Sequence, residues 1–501
     1  MAFSRPGVYV QETLNPISSI AVPNSASIGA FIGPNDKGPV TATLVTSWSE
    51  YTKLFGSWNT STGTGAANND LPLAVYLFFA NGGSRAYVAR VATGAVSAFR
   101  VFNDRAGTPV ATLRIQAINP GAWGNNLNIT ISDSTTSGAF DLTLYDGGTT
   151  DAYVVERFTD LSMTSTSPRY ALSVINNQSS YIVALDQASA SVGALKTPAN
   201  VANASLASGT NGSTITAVTN YSVFDTINAS LILNVPGATD ATTINAAISY
   251  AAGREDVFVV VDGRSETVAN QITLAGTYTP SSFAAVYYPR ILIADPTVGV
   301  GGAGNATRVV GPGGAIVGLY AATDASRGVY KAPAGLQTRV AGAVSVTALT
   351  NNELDLLNTA AAPVNAIKFV PGSGIVVMGA RTLKAGYVDK YVPVRRTLIY
   401  LRKALSDLTQ FAVFEPNDPA LWRRLDSTIS SFLTGFWSQG GLVGATPAEA
   451  FFVQVDSVNN PQLTIDNGEV NISVGVALQR PAEYVIIKIG QFDGGTTVTV
   501  A

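Results

Sequence analysis

Residues 231–262 read LILNVPGATDATTINAAISYAAGREDVFVVVD. Leu231–Val235 and Val257–Val261 are apolar runs, interrupted only by Asn234 and rich in β-branched residues, the pattern of parallel strands buried on both faces. Residues 240–253 between them read as a helix, and that length fits a right-handed crossover. A strand, a helix and a second strand in this order specify an open α/β domain. Its extent is taken as residues 209–374, with the apolar run Ala284–Ala294 supplying another strand.

On the N-terminal side the texture changes. Residues 93–208 are rich in Thr, Ser, Asn and Gly, with short runs at Leu127–Ser132, Phe140–Tyr145, Val154–Phe158 and Tyr170–Val174. Turn signals such as Asp146-Gly147-Gly148 separate them, so this segment reads as a β-sandwich or barrel. Residues 199–220 are low in complexity and read as a linker. Further upstream, Ile28–Gly33, Thr43–Thr46 and Ala86–Val91 read as strands. Ser47 reads as the cap of a short helix, and Leu71–Asn81 as a buried helix stopped by Gly82-Gly83.

On the C-terminal side, Asp418-Pro419 supplies an N-cap and a proline at the first helical position. Leu421, Leu425, Ile429, Phe432 and Phe436 then share one helix face. Val394, Leu398, Leu401, Leu405 and Leu408 form a second stripe, with Arg395, Arg396, Arg402 and Lys403 on the remaining surface. Thr446–Glu449 has the capping-box spacing.

Composition excludes several classes of function. The 501 residues carry 30 Lys plus Arg against 33 Asp plus Glu, a net charge of −3. Nucleic-acid binders usually carry a basic excess, so no nucleic-acid partner is expected. There is no Cys and no His. The commonest general base and the commonest transition-metal ligand are therefore missing. The first residues, MAFSRPGVYVQE, lack a signal-peptide apolar region. No apolar run is long enough to span a membrane. Synthesis and folding in the cytoplasm, with no membrane insertion, are the expectation.

The glycine runs at 299–304 and 311–314 match neither a P-loop nor a dinucleotide fingerprint. Asp262, Glu266, Asp295 and Asp324 lie near strand ends of the α/β segment, where open sheets bind ligands. They lack a His, a Cys or a partner at defined spacing, and loop capping is the simpler role. Asp133 and Asp141 are isolated, and Asp146 sits beside turn glycines without a calcium-loop pattern. No catalytic, cofactor-binding or metal residues are assigned.

Longer stretches carry a resemblance. SRPGVYVQE, IGAFIGPNDKGP, LVTSWSEYTKLFG, LAVYLFFANGGSRAYVARV and NPGAWGNNLNITI come in order along the chain. They are followed by VGPGGAIVGLYAATDASRGVYKAPAG, YVPVRRTLIYLRKAL, FAVFEPNDPALWRRL and VGVALQRPAEYVIIKIGQ. Together they resemble the contractile tail sheath proteins of bacteriophages, R-type bacteriocins and extracellular contractile injection systems. Met378 departs from the pattern, standing in an apolar slot where a tryptophan is expected.

The resemblance implies an α+β multidomain fold. Residues 21–92 and 375–490 would form an inner α+β core domain. The open α/β domain, 209–374, would be inserted in it, and the β-rich domain, 93–208, nested in turn and facing outward. It implies no enzyme activity and no cofactor. It implies a homopolymer of hexameric rings around an inner tail tube, with baseplate and tail terminator proteins as further partners. Assembly in the host cytoplasm, then residence in a virion tail or released particle, is implied too.

In such proteins the terminal arms, here residues 1–20 and 491–501, add strands to neighbouring subunits. Gly7, Val8, Tyr9, Val10 and Gln11 would do so at one end, and Thr496, Thr497, Val498, Thr499 and Val500 at the other. The alternating Thr/Val tail has the pattern of a half-exposed strand, and a strand at a chain end needs a paired edge. Pairing within the same chain is the competing reading. Arg395, Arg396, Arg402, Lys403, Arg423 and Arg424 are candidate contacts to an acidic tube surface, or a solvated helix face. Two other classes compete with this reading. A hydrolase on the α/β domain would need a Ser-Lys pair in the absence of His. A surface-layer protein or adhesin would need a secretion signal.

Overall fold

Ile28–Pro34 is apolar or glycine at nearly every position, and it forms β1, buried along its length. The computed structural model describes residues 27–58, 70–264, 266–296, 307–386 and 390–483. After β1 come β2 (Thr43–Val45), α1 (Trp48–Phe55), α2 (Asp70–Ala80) and β3 (Ala86–Val91). Ser47 caps α1 by accepting from the Glu50 N–H.

An all-antiparallel region follows. Its strands are β4 (Phe99–Asn103), β5 (Ala111–Ala117), β6 (Leu127–Asp133), β7 (Phe140–Asp146) and β8 (Val154–Leu161). Helix α3 (Ala171–Gln178) precedes β9 (Ile182–Asp186) and β10 (Val201–Ser205). They make a four-stranded sheet, β10-β6-β7-β8, and a three-stranded sheet, β4-β5-β9. Strict alternation in β6 and β7 sends Leu127, Ile129, Ile131, Phe140, Leu142 and Leu144 into one core. Leu113, Ile115, Ile182 and Ala184 of the other sheet enter the same core.

The α/β part continues with β11 (Leu231–Asn234), α4 (Ala241–Arg254), β12 (Val257–Asp262), α5 (Val268–Ala275) and β13 (Ala284–Tyr288). Next are β14 (Ile291–Ala294), β15 (Thr307–Val310), α6 (Gly313–Arg327), β16 (Ala343–Val346), α7 (Asn351–Thr359), β17 (Val364–Val370) and β18 (Gly374–Val377). One eight-stranded sheet has the order β18-β17-β13-β12-β11-β1-β3-β2. Its pairs from β17 to β3 are parallel. Period-two alternation divides each strand between two cores. Ile28, Ala30, Ile32, Val257, Val259 and Val261 pack with α4, α5 and α7. On the opposite face Phe31 meets Phe78 of α2 edge-on at 5.4 Å, and Phe258 meets Tyr320 of α6 at 6.1 Å.

The last elements are α8 (Val392–Leu408), α9 (Pro419–Ser438), α10 (Pro447–Ala450), β19 (Phe451–Gln454), α11 (Gln462–Asp466) and β20 (Ser473–Val476). The chain divides into two compact units. One takes in Ser25–Ser326 and Pro333–Gly386, and the other Arg327–Ala332 and the chain beyond Gly386.

Several expectations are corrected. Residues 28–91 do not join 375–490 in an inner domain. β1 pairs with β11 from Ile28↔Leu231 to Phe31↔Asn234, so the N-terminal segment belongs to the α/β sheet. Residues 375–386 stay with that sheet as well, because β18 is an antiparallel extension of β17. Tyr170–Val174 is not a strand: Tyr170 precedes helix α3. The run Ala284–Ala294 is broken at Pro289-Arg290 into strands of two different sheets. Residues 199–220 are not a free linker, since they contain β10 and pair at Ala207, Thr210 and Ser213 with residues 99, 96 and 93. Met378 is 42% exposed, not lodged in an apolar slot.

Candidate assembly surfaces

The second unit is built on α8 and α9. Asp418 accepts from the Ala420 and Leu421 N–H groups at 2.9 and 2.8 Å and starts α9 with Pro419 in its first turn. The stripe it presents is Leu421, Trp422, Leu425, Ile429, Leu433 and Phe436. Leu433 takes the buried place expected of Phe432, which is only partly covered. Phe436 packs edge-on against Tyr330 at 5.5 Å and beside Tyr400 at 6.2 Å. Thr446 does not close a capping box: the Glu449 carboxylate accepts from the Ala445 N–H, and Thr446 makes no side-chain cap.

Ile429 and Leu433 carry the small sheet β19-β20, packing against Phe451, Val453, Ile472, Val474 and Val476. The two strands run antiparallel from Phe451↔Val476 to Gln454↔Ser473. Among the described residues this sheet has two strands and therefore two outer edges. Gly7–Gln11 and Thr496–Val500 lie outside the described residues.

The basic candidates separate. Arg395 and Arg396 are buried, each 3% exposed, because the first half of α8 is enclosed on all sides. In this structure they do not present charge outward, which corrects their place on a solvent face. Arg402 and Lys403 are half-buried, and Lys403 pairs with Asp407 one turn on. Arg423 and Arg424 are exposed, with the Arg424 guanidinium over the Phe411 ring at 4.2 Å. Nearby, Phe414 is 88% exposed with φ +68°, a feature that no local sequence signal announces.

In the first unit, Asp262 at the end of β12 is buried and fully engaged. Its two oxygens accept from the Gly237 N–H at 2.9 Å and the Gly313 N–H at 2.6 Å. Burial raises its pKa, opposed by Arg290. It is a cap for α6, as the simpler reading holds. Asp324 accepts from Ser27, and Arg264 pairs with Glu266 at 3.4 Å. Asp141 accepts from the Asp160 N–H, while Asp133 pairs with Arg105. Among the described residues no three acidic, His or Cys side chains gather as a metal site, and no helix is long and apolar enough to cross a membrane.

Residues 390–492, which begin just before α8 and run past β20, match the phage tail sheath C-terminal domain. Over these residues the chain is similar to contractile tail sheath proteins. A curated relative, the tail sheath protein of Vibrio phage KVP40, is 28% identical over 177 residues, 35% of this chain. That alignment spans a quarter of the relative's length.

Among solved structures, the chain resembles the contracted sheath of an extracellular contractile injection system, PVC. The TM-score is 0.58 and identity 24%, over 98% of each chain. It also resembles the contracted helical sheath of the anti-feeding prophage, with TM-score 0.56 and 22% identity over 98% of this chain and all of that one. A sheath tail protein from Listeria innocua has the same fold at 13% identity and TM-score 0.60, covering 91% of this chain and 96% of that one. At these identities the likeness is one of fold.

Proposed function

We propose that this protein is a contractile tail sheath subunit, the repeating unit of a tube assembled as stacked hexameric rings around an inner tail tube. Its shortening would drive that tube through a target cell envelope. The observation that carries the reading is the β19-β20 sheet. Two strands alone are marginal in water, and this pair offers two outer edges within the segment that matches the family domain. The arm Gly7–Gln11 of one neighbour and the tail Thr496–Val500 of another would each add a strand. Main-chain hydrogen bonds then link copies, so rings can rotate without separating.

Baseplate and terminator proteins would bound the polymer, and no nucleic acid, cofactor or membrane insertion is needed. Arg402, Lys403, Arg423 and Arg424 would face an acidic tube through weak, screened contacts that release on contraction. Burying even a few hundred Å² of apolar surface per subunit as the lattice compacts would yield several kcal/mol, at about 25 cal/mol per Å². Assembly would take place in the host cytoplasm and service in a virion tail or a released particle.

Electron microscopy of the purified protein, alone and coexpressed with its tube, tests the proposal. Wide helical tubes are expected. Closed small oligomers under both conditions would overturn it.

A further inference from the structure

Lys37 is an unusual lysine. It is only 9% exposed, yet its ammonium makes no ion pair with an adjacent carboxylate among the described residues. It lies between two rings instead, 4.6 Å from the centroid of Trp123 and 4.2 Å from that of Tyr181. Burial lowers its pKa, with Asp146 and Glu156 acting the other way. Lys37 sits in the loop after β1, a strand of the eight-stranded sheet. Trp123 and Tyr181 belong to the β-rich insert. The contact therefore joins two separate hydrophobic cores.

Other ties surround it. Asn35 fixes the Lys37 loop by donating to the Lys37 and Phe55 carbonyls, both at 2.7 Å. Arg90 of β3 donates to the Pro120 carbonyl. Asn211 donates to Asp36 at 3.3 Å and accepts from the Ala122 N–H at 2.8 Å. The two chain segments that enter and leave the insert also pair with each other. Val96 and Thr210 exchange two backbone hydrogen bonds of 3.0 Å, and the Ser213 N–H donates to the Thr93 carbonyl at 2.9 Å.

We propose that Lys37 is the pin that fixes the β-rich insert to the α/β sheet, so that residues 93–213 and the sheet move as one rigid body. A cation held between aromatic faces in a desolvated site is a strong and directional contact. Its removal leaves the backbone straps in place but takes away the contact that sets the angle between the two cores. The segment 199–220, flexible by composition, is then not a hinge. Any large rearrangement of the subunit has to occur elsewhere. This inference does not rest on the sheath reading and can fail independently of it.

The absence of cysteine from the chain makes a direct test available. Spin labels at Val192→Cys in the insert and Leu356→Cys on α7 report the distance between the two cores by pulsed electron resonance. Both positions are exposed. The parent background is expected to give one narrow distance distribution. Lys37→Met, which keeps the aliphatic stem, should broaden it, and Lys37→Arg should restore the narrow form.

Hydrogen exchange on the full chain supplies the second readout. In Lys37→Met, amides of residues 93–98, 120–125 and 207–213 should exchange about tenfold faster, with β6 and β12 unchanged. A broad distribution in the parent overturns the proposal. So does a narrow one in Lys37→Met, or exchange that rises equally in β6 and β12, because that reports general destabilisation and not a released joint.

Discussion

Replacing Gly314 by alanine tests how the sheet is covered. Gly314 and Gly318 lie one turn apart on α6 and face α2, where the two backbones meet without intervening side chains. A Cβ at Gly314 would lie 2.5 Å from the Ala74 Cα and 2.6 Å from its carbonyl carbon. At Gly318 it would lie 2.5 Å from the Phe78 carbonyl oxygen and 2.9 Å from the Asn81 Cβ. Ordinary contacts begin at 3.4 Å, so α6 must retreat by roughly an ångström. Helical backbone cannot swing aside as a side-chain tip does. The retreat loosens Phe78 and Tyr320 against the sheet.

Overpacking of this kind costs about 1–3 kcal/mol, and the upper part of that range applies where backbone is the obstacle. Gly314 lies in the first turn of α6, so the propensity gain of alanine is a fraction of its usual value of about 1 kcal/mol. The net expectation is a loss of about 2 kcal/mol in urea unfolding followed by circular dichroism. Gly253→Ala in α4 is the control, because nothing lies within 4 Å of its added Cβ. It should gain about 0.5 kcal/mol. If Gly314→Ala is as stable as the parent, the close approach of α2 and α6 is wrong.

Further expectations follow from single groups. Asp418→Ala removes the cap of α9 and should cost about 1 kcal/mol, read by thermal unfolding. The Asp104 carboxyl is held at about 2 by hydrogen bonds from the Ser189 hydroxyl, the Val110 N–H, the Ser191 hydroxyl and the Ala106 N–H, against the effect of burial. Its lowered pKa stabilises the fold above the ordinary aspartate value of 3.8, and that stability is lost as pH falls from 3.8 towards 2. Asp104→Asn should flatten this acid limb of a stability–pH curve. Asp70 behaves oppositely: burial raises its pKa to about 6, with Arg290 opposing and Asp262 assisting. Stability conferred below pH 3.8 is lost as pH rises through 6, by about 3 kcal/mol, and Asp70→Asn should abolish that fall. The charge reversal of Arg423 and Arg424 to glutamate should leave unfolding nearly unchanged, both being exposed, while weakening cosedimentation with the tube protein at low salt.

What the sequence made legible was local periodicity. Val257–Val261 and Leu231–Val235 announce buried parallel strands because every position but Asn234 is apolar, and Asp418-Pro419 announces a helix start by chemistry confined to two residues. Pairing between distant segments was not legible. β1 has the composition of a sheet-interior strand but carries no mark saying that β11, some two hundred residues later, lies beside it. Tyr170–Val174 has strand-like composition, and its helical fate is decided by packing of Val174 and Ile175 into the β-rich core. Arg395 and Arg396 look like a solvated face by residue type, and only the tertiary enclosure of α8 reverses that. A capping box forms at Thr350 and Glu353 but not at Thr446 and Glu449, which share its spacing, so spacing alone does not decide it. The setting of Lys37 was not legible, since its rings lie far along the chain.

The doubly covered parallel sheet raises the question of how a scaffold so often used to bind ligands would serve the structural role proposed above. Strand order reverses between β1 and β11, and in open sheets that is where a crevice forms outside the carboxyl ends. Here the ends of the strands are occupied from within. Asp262 spends both oxygens on the N–H groups of Gly237 and Gly313. Arg290 donates to the Gly263 and Gly237 carbonyls at 3.0 and 3.2 Å. A Cβ at Gly311 would lie 2.5 Å from the Asp262 carboxyl carbon, and one at Gly237 would lie 2.7 Å from that of Asp70, so loop and helix close directly over the strand ends. The groups that would orient a ligand instead orient α6 and its neighbouring loops. Interior polar bonds of this kind resist shear better than apolar contact alone, because each has a fixed direction as well as a distance. For the load-bearing subunit proposed above, a switch point filled in this way is the mechanically useful arrangement.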